Sequence, residues 1–291
     1  MFKVNGIILI VSCQKYINTR VSQCKLSQNE YHGWIPIYLI GDLFLDQEYK
    51  LENKLEYTLM TIRTEDSYIH LLKKVVLAIK YLYQLYDIQE GILRCGDDIY
   101  FNEPRLRDLL SVKTKPDYWG QSPSNRSFTI QSIDQLKTTV TDNFMIQYYQ
   151  SHQADLTNPQ HNLANLKENN LMKYRLRPKL IGPTGVILFL SNHCCDILIH
   201  HLESINFNVF HFDEFTQSYP YTIEDCAISF ILYLNKIPFT HHPDLYRNQT
   251  HDPKVIGNHT NLHQGDAPSP SDPLVPSRGV MTAGSITVDT P

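Results

Sequence analysis

The stretch that decides the fold reads Gly91-Ile92-Leu93-Arg94-Cys95-Gly96-Asp97-Asp98, a mostly apolar run that ends in two carboxylates. A short apolar run bounded by glycines predicts a buried β-strand over Gly91–Cys95. Just upstream, apolar side chains recur at helical spacing, which predicts a helix over Tyr68–Tyr86. A strand that follows a long helix is typical of a mainly parallel sheet with helices on its faces. Ligands bind such sheets beyond the carboxyl ends of the strands, where Asp97 and Asp98 are expected.

The rest of the chain continues this alternation of strands and helices. Apolar runs predict strands over Val4–Ser12, Trp34–Ile40, Leu55–Ile62 and Val186–Leu190, and helical spacing predicts helices over Asn192–Ile205 and Ile223–Leu234. Between them, the polar segment Ser122–Asn170 predicts a loop-and-helix insertion. We therefore predict an α/β protein with one domain over residues 1–264. The Pro- and Ser-rich residues 265–291 are predicted to be extended or disordered.

Composition narrows the classes of function. The 291 residues carry a net charge of −4 with 42% hydrophobic residues, so the chain can form a full core but has no broad cationic surface. Nucleic acid is therefore not an expected partner. Six cysteines without a CxxC pair argue against structural zinc and favour free thiols. No segment is long and apolar enough to span a bilayer, so we expect no membrane span and a soluble, cytoplasmic protein.

Three groups of polar residues could carry chemistry. The pair Asp97 and Asp98 could hold a divalent cation, although such pairs are more often solvated turn residues or helix caps. Glu224 and Asp225 open a predicted helix, where a carboxylate serves either as a general base or simply as a capping group. A late segment is rich in histidines, which are either metal ligands or ordinary surface residues; they are His241, His242, His251, His259 and His263.

Several motifs occur in an order that resembles the β-1,3-glycosyltransferase family of galactosyltransferases, N-acetylglucosaminyltransferases and Fringe enzymes. Residues 66–74 resemble the family's Asp-x-Tyr-x-Asn-Leu-Thr-x-Lys motif, and residues 94–102 resemble Lys-x-Asp-Asp-Asp-Val-Phe-Val-Asn. Tyr118-Trp119-Gly120 resembles a short Tyr-x-Gly element. Residues 184–191 resemble the Gly-x-Gly-Tyr-Val-Leu-Ser strand, and residues 223–228 resemble the Glu-Asp-Val motif. The resemblance covers about residues 5–250.

This resemblance implies a GT-A fold, which is a Rossmann-like, mostly parallel sheet flanked by helices. It also implies a UDP-sugar donor, Mn²⁺ or Mg²⁺ as cofactor, inversion at the anomeric carbon, and a carbohydrate or glycoprotein acceptor. The donor half would cover about residues 1–120 and the acceptor half about residues 121–264.

The resemblance also assigns roles to single residues. Asp98, assisted by Asp97, would bind the metal, and Asp225 would be the catalytic base with Glu224 beside it. The remaining assignments are donor-binding residues and late metal-binding histidines: Asp97, Lys74, Arg20 and Gly185 for the donor, and His251 followed by His242 for the metal.

One departure from the family pattern keeps alternatives open. Gly96 stands where the family has the first aspartate of its acidic motif, which contacts the nucleotide. The alternatives are a GT-A glycosyltransferase of another family, including a retaining one, and a non-catalytic member that binds nucleotide or glycan.

Overall fold

The apolar stretches at Ile7–Val11 and Ile92–Cys95 lie side by side at the centre of one large sheet. The structure is a computed structural model that describes residues 1–27, 30–127, 129, 140–141, 150–163, 175–176, 182–206, 224–248 and 254–259. The strands are Phe2–Val11 (β1), Trp34–Gly41 (β2), Tyr49–Asn53 (β3), Thr58–Ile62 (β4), Tyr86–Gly96 (β5), Ile99–Phe101 (β6), Tyr118–Gly120 (β7), Val140–Thr141 (β8), Arg175–Leu176 (β9), Ile187–Ser191 (β10), Thr240–His241 (β11), Tyr246–Asn248 (β12) and Gly257–His259 (β13). The helices are Arg20–Cys24 (α1), Leu71–Leu85 (α2), Glu103–Ser111 (α3), Gln153–Thr157 (α4), Asn192–His200 (α5), Leu202–Asn206 (α6) and Glu224–Leu234 (α7), with a 3₁₀ turn at Pro159–His161.

Eight strands form the main sheet in the order β11-β7-β10-β5-β1-β2-β4-β3. The central strands β5, β1, β2 and β4 are parallel, as predicted. The sheet as a whole is mixed, however, because β10 is antiparallel to β5 and β7, and β3 is antiparallel to β4. The prediction of an α/β protein with a helix-flanked sheet is confirmed. The prediction that the sheet is mostly parallel is correct only for its four central strands. Because β10 runs backwards, its first residues lie at the edge where β5 ends.

The helices cover the sheet by means of apolar stripes. In α2, Leu72, Val75, Val76, Ile79 and Leu82 are all buried, at the spacing of one helix face. They belong to a core that also includes residues of α5 and α7, whereas α1 and α3 contribute to a second core on the other side of β1 and β5. The helix predicted over residues 192–205 is two helices, which are separated at His201.

The strand predicted over residues 55–62 begins only at Thr58, and the neighbouring strand β3 was not predicted. β3 alternates half-buried and exposed positions and contains Lys50, Glu52 and Asn53, residues that are poor strand formers. Its place at the sheet edge, paired with β4 on one side, explains why its sequence carries so weak a signal.

Part of the polar insertion is tied to the main sheet through Gln160. Its side chain accepts a hydrogen bond from the backbone N–H of Leu43 at 2.8 Å and donates one to Asp42 at 3.0 Å, and its carbonyl accepts one from the N–H of Asp66 at 3.0 Å. The part of the insertion around Gln160 therefore lies against the segments that follow β2 and β4. The chain divides into units of Met1–Thr260 and Asn261–Pro291, and the predicted tail at residues 265–291 lies outside the described residues.

The sequence also led to expectations about membrane-spanning segments and cysteines. Among the residues that the structure describes, no helix has both the length and the apolar character needed to cross a bilayer. All six cysteines are free thiols, as predicted.

His70, just before α2, makes the stability of the fold depend on pH. Its Nδ1 lies 2.6 Å from the Ser67 hydroxyl, and burial lowers the pKa of its imidazole to about 4, against the opposing effect of Glu65. Between pH 6.5 and 4, His70 is protonated in the unfolded chain but still neutral in the folded one. The free energy of unfolding therefore decreases by about 1 kcal/mol for each unit by which the pH is lowered. In His70→Asn the asparagine keeps a polar partner for Ser67 but does not titrate. The urea midpoint of this variant is therefore expected to change less between pH 6.5 and 4 than that of the wild type. Because all other groups are shared, identical slopes for the two proteins would contradict this expectation.

Candidate functional site

Several polar residues converge at the carboxyl edge of the parallel strands. Ser12 follows β1, Gly41 ends β2, and Gly96-Asp97-Asp98 closes β5. The start of β10 reaches the same edge, because the N–H of Gly96 donates to the carbonyl of Val186 at 3.0 Å. In α/β sheets this edge is the usual place for a ligand, since loops and helix starts meet there.

Asp97 is buried and held by two partners. The Ser12 hydroxyl donates to one of its oxygens at 2.6 Å, and the Arg20 guanidinium lies 3.4 Å from the other. Burial raises the pKa of this carboxyl, and the contacts with Ser12 and Arg20 act in the opposite direction. Arg20 in turn covers the ring of Tyr16, 3.5 Å from its centroid. Two of the predicted site residues, Asp97 and Arg20, are thus in direct contact.

Asp98 is half-buried and folds back over Gly96. A Cβ atom at position 96 would lie 2.8 Å from the Asp98 Oδ1 atom, closer than van der Waals contact permits. The glycine that departs from the family pattern therefore makes room for the observed position of the Asp98 carboxylate. A side chain at this position would require Asp98 to move.

Lys74 joins the ends of β1, β2 and α2. Its ammonium group donates to Asp66 at 2.7 Å and to the Ser12 carbonyl at 2.6 Å. Asp66 also accepts from the backbone N–H groups of Gln14, at 2.6 Å, and Gly41, at 2.9 Å. The chain Asp66–Lys74–Ser12–Asp97 is therefore a continuous polar network beneath the edge of the sheet, and the predicted donor residue Lys74 lies inside it.

Glu224 forms a buried ion pair with Arg94. The guanidinium donates from Nε at 2.9 Å and from Nη2 at 2.5 Å to the two carboxylate oxygens, and both residues are only 4% exposed. The third nitrogen of Arg94, Nη1, donates to the carbonyl of Gly185. Burial raises the pKa of Glu224, and the charge of Arg94 opposes that shift.

Asp225 is half-buried and lies beside Gly185 in the first turn of α7. One oxygen accepts from the N–H of Cys226 at 2.7 Å, and the other would lie 3.4 Å from a Cβ atom placed on Gly185. Burial raises the pKa of Asp225, while the N–H of Cys226, the charge of Arg94 and the N–H of Gly185 oppose the shift. Burial therefore makes Asp225 a stronger proton acceptor than an exposed aspartate, which is the property that a general base requires.

Two tyrosines lie near this carboxylate. Burial raises the pKa of Tyr68, and the charges of Asp225 and Glu224 raise it further. The hydroxyl of Tyr246 lies 2.6 Å from that of Thr184, and Asp225 adds to the rise in the pKa of Tyr246. Aromatic rings with polar tips therefore accompany the carboxylate on the α2 and β12 sides of the site.

The predicted histidines are only partly located. The ring of His242 lies against that of Trp119, with centroids 5.3 Å apart. The backbone N–H of His242 donates to the Gly120 carbonyl at 2.8 Å. His251 lies outside the described residues. The backbone of His259 pairs with Ile99, which directly follows Asp98. Within the described part of the chain, no group of three or more His, Cys, Asp or Glu side chains is placed to hold a metal ion.

Sequence reasoning missed three residues of this edge, namely Ser12, Asp66 and Arg94. Arg94 carried a usable signal, because a charged residue inside a buried strand requires a charged partner. Asp66 opens the quoted Asp-x-Tyr motif but received no role. Ser12 had no signal beyond being the first polar residue after an apolar strand.

Comparison with known proteins adds no assignment. No protein-family model matches the chain, and no curated protein matches it. The class defined by the fold is therefore an α/β protein with a mixed eight-stranded sheet and a polar site at the carboxyl edge of its parallel strands.

Proposed function

We propose that the chain is an inverting, metal-dependent glycosyltransferase of GT-A type, which moves a sugar from a UDP-sugar to a hydroxyl of a carbohydrate or glycoprotein. One observation carries the proposal: segments that resemble family motifs and lie far apart in the sequence meet at one edge of the sheet. Lys74 is linked through Ser12 to Asp97, and Gly185 lies against Asp225. A chance set of short motif matches would have no reason to converge in this way.

The carboxylate pair fits a hard divalent cation. Mg²⁺ and Mn²⁺ are commonly held by one or two carboxylates together with substrate phosphates and water, so three protein ligands are not required. Asp98 would be the principal ligand, because Asp97 is buried and already bonded to Ser12 and Arg20. A cation bound there supplies the positive charge that stabilises a diphosphate leaving group. Of the two histidines that the resemblance assigns to the metal, His251 lies outside the described residues and His242 packs on Trp119.

Asp225 is the proposed base. An acceptor hydroxyl must lose its proton as it attacks the anomeric carbon, and a positioned carboxylate with a raised pKa can take that proton. Glu224 was assigned alongside it, but its two oxygens are engaged by the buried Arg94. We therefore limit the role of Glu224 to holding the start of α7.

The remaining residues suggest how the two substrates are arranged. Arg20, whose guanidinium lies 3.4 Å from Asp97, is the cation that we propose for contact with the diphosphate. Lys74 donates to Asp66 and Ser12, so its contribution to donor binding would be to fix the loop after β1. We propose the polar insertion for acceptor binding, because its described part around Gln160 lies beside the same edge.

A screen of UDP-glucose, UDP-galactose, UDP-N-acetylglucosamine and related donors for UDP release tests this proposal. We expect release from one donor in the presence of Mn²⁺, and a product whose anomeric configuration is inverted. Retention of configuration would instead indicate a GT-A glycosyltransferase of another family. Calorimetric binding of UDP and Mn²⁺ without any UDP release would indicate a non-catalytic binding protein.

A further inference from the structure

Arg94 is a buried charge near the carboxyl end of the central strand β5. Its neighbours Leu93 and Cys95 are fully buried on one face of the sheet, whereas its own side chain points to the opposite face. Burying a guanidinium is costly unless its nitrogens are hydrogen-bonded and its charge is paired. All three nitrogens have such contacts, two with Glu224 and one with the carbonyl of Gly185.

Both contacts of Arg94 end on residues that adjoin Asp225. Glu224 immediately precedes Asp225 and fixes the first turn of α7. Gly185 adjoins the Asp225 carboxylate, since a Cβ atom placed on Gly185 would lie 3.4 Å from its Oδ2 atom and the backbone N–H of Gly185 acts on its pKa. One planar guanidinium therefore joins two chain segments that adjoin the carboxylate, the turn before β10 and the start of α7. Arginine suits this role because its donors form a rigid fork.

We propose that Arg94 is a positioning residue that sets the place of the Asp225 carboxylate by clamping Glu224 and Gly185 on its two sides. This inference rests on the proposed function, since it assigns Arg94 to the orientation of the base. It predicts an effect on turnover with little effect on donor binding, because the clamp does not touch Asp97 or Asp98. It contacts Gly185, which the resemblance assigns to the donor, only at the backbone carbonyl. A small displacement of a catalytic group costs about 10²-fold in rate.

The test compares two ion pairs that both involve β5. Arg94→Met alone would leave Glu224 as an unpaired buried charge, so the informative variant is Arg94→Met/Glu224→Gln, in which both charges are removed. The matched control is Lys115→Met/Glu90→Gln, which removes the pair between Lys115 and Glu90, 2.5 Å apart, in the middle of the same strand. A third variant, Arg94→Lys, keeps the charge but loses the fork.

Steady-state UDP release and thermal unfolding would be measured for all variants. We expect Arg94→Met/Glu224→Gln to lose about 10²-fold in kcat with KM for the donor within about threefold. Arg94→Lys should lie between it and the wild type, and the Lys115→Met/Glu90→Gln control should keep the wild-type kcat.

A wild-type kcat in the folded Arg94→Met/Glu224→Gln variant would overturn the role of Arg94, and so would an equal loss in the control. If the double variant does not fold, Arg94→Lys decides the question: a reduced kcat at constant KM supports the clamp, and an unchanged kcat refutes it. A wild-type chain that releases no UDP from any donor removes the proposed function itself, and the role of Arg94 with it. An active wild type with equally active Arg94 variants is a different result, because it refutes the role of Arg94 and leaves the proposed function intact.

Discussion

Replacement of Asp225 by asparagine is expected to lower kcat by about 10²–10⁴-fold, the usual contribution of a general base. Asparagine has nearly the same shape, and its side-chain oxygen can still accept from the N–H of Cys226, which donates to Asp225 at 2.7 Å. What it cannot do is accept a proton. The loss should therefore appear in kcat, while KM for the UDP-sugar changes little.

The same variant should not be less stable than the wild type. Burial raises the pKa of Asp225, which means that the folded protein disfavours its charged form. A neutral amide removes that cost, so the unfolding temperature is expected to stay constant or rise. The matched control is Asp196→Asn, which removes an exposed carboxylate on α5 that lies near His200. Near-normal transfer by Asp225→Asn would rule out Asp225 as the base.

The pH dependence of kcat/KM in the wild type provides a second test of the role of Asp225 as the base. A base must be ionised to act, so kcat/KM falls as the pH drops through its pKa. Because burial raises this pKa, the acid limb should lie above the ordinary range of an aspartate. Tyr68, Tyr246 and Arg94 also face this carboxylate, and the charge of Arg94 limits the shift.

Replacement of Asp98 by asparagine is expected to have the second-largest effect, a loss of about 10²–10³-fold in Mn²⁺-dependent turnover. This corresponds to the several kcal/mol that a Lewis-acidic cation contributes to a reaction. Asparagine keeps one neutral oxygen ligand but loses the negative charge, so the concentration of Mn²⁺ needed for half-maximal activity should increase. The unfolding temperature should change little, since Asp98 is only half-buried.

Asp97→Asn is the informative comparison for Asp98. Asp97 is 7% exposed and receives hydrogen bonds from Ser12 and Arg20. Burial raises the pKa of Asp97 as well, so the folded protein already disfavours its charged form, and this variant is expected to lose activity without a large loss of stability. An Asp98→Asn variant with wild-type activity and Mn²⁺ dependence would contradict the assignment of Asp98 as the metal ligand.

The fold was predictable wherever a segment is buried on both faces or on one whole helix side. β1, β5 and α2 fall in this category, since their apolar patterns are nearly continuous. The direction of β10 was not predictable, because an apolar strand reads the same whether it pairs parallel or antiparallel. That direction matters, since it brings Gly185 to the edge where β5 ends.

The site was predictable only for residues that stand in recognisable motifs. Asp97, Asp98 and Asp225 belong to such motifs, and the structure brings all three to one sheet edge through the contacts of Ser12, Val186 and Gly185. The ion-pair partners of these side chains were harder to predict. Whether a charged side chain contacts solvent or a specific ion-pair partner depends on the tertiary fold. Glu224 illustrates this point, since the sequence suggested a catalytic carboxylate and the structure pairs it with Arg94, 130 residues away.

The central claim is that a divalent cation at Asp98 supports the departure of UDP. The most direct test takes the best donor from the screen and measures UDP release in Mn²⁺, in excess chelator, and after Mn²⁺ is added back. We expect UDP release with Mn²⁺, its loss in chelator, and full recovery on addition of Mn²⁺. UDP release that continues unchanged in chelator would contradict the metal role, and the absence of release under every condition would contradict the transferase itself.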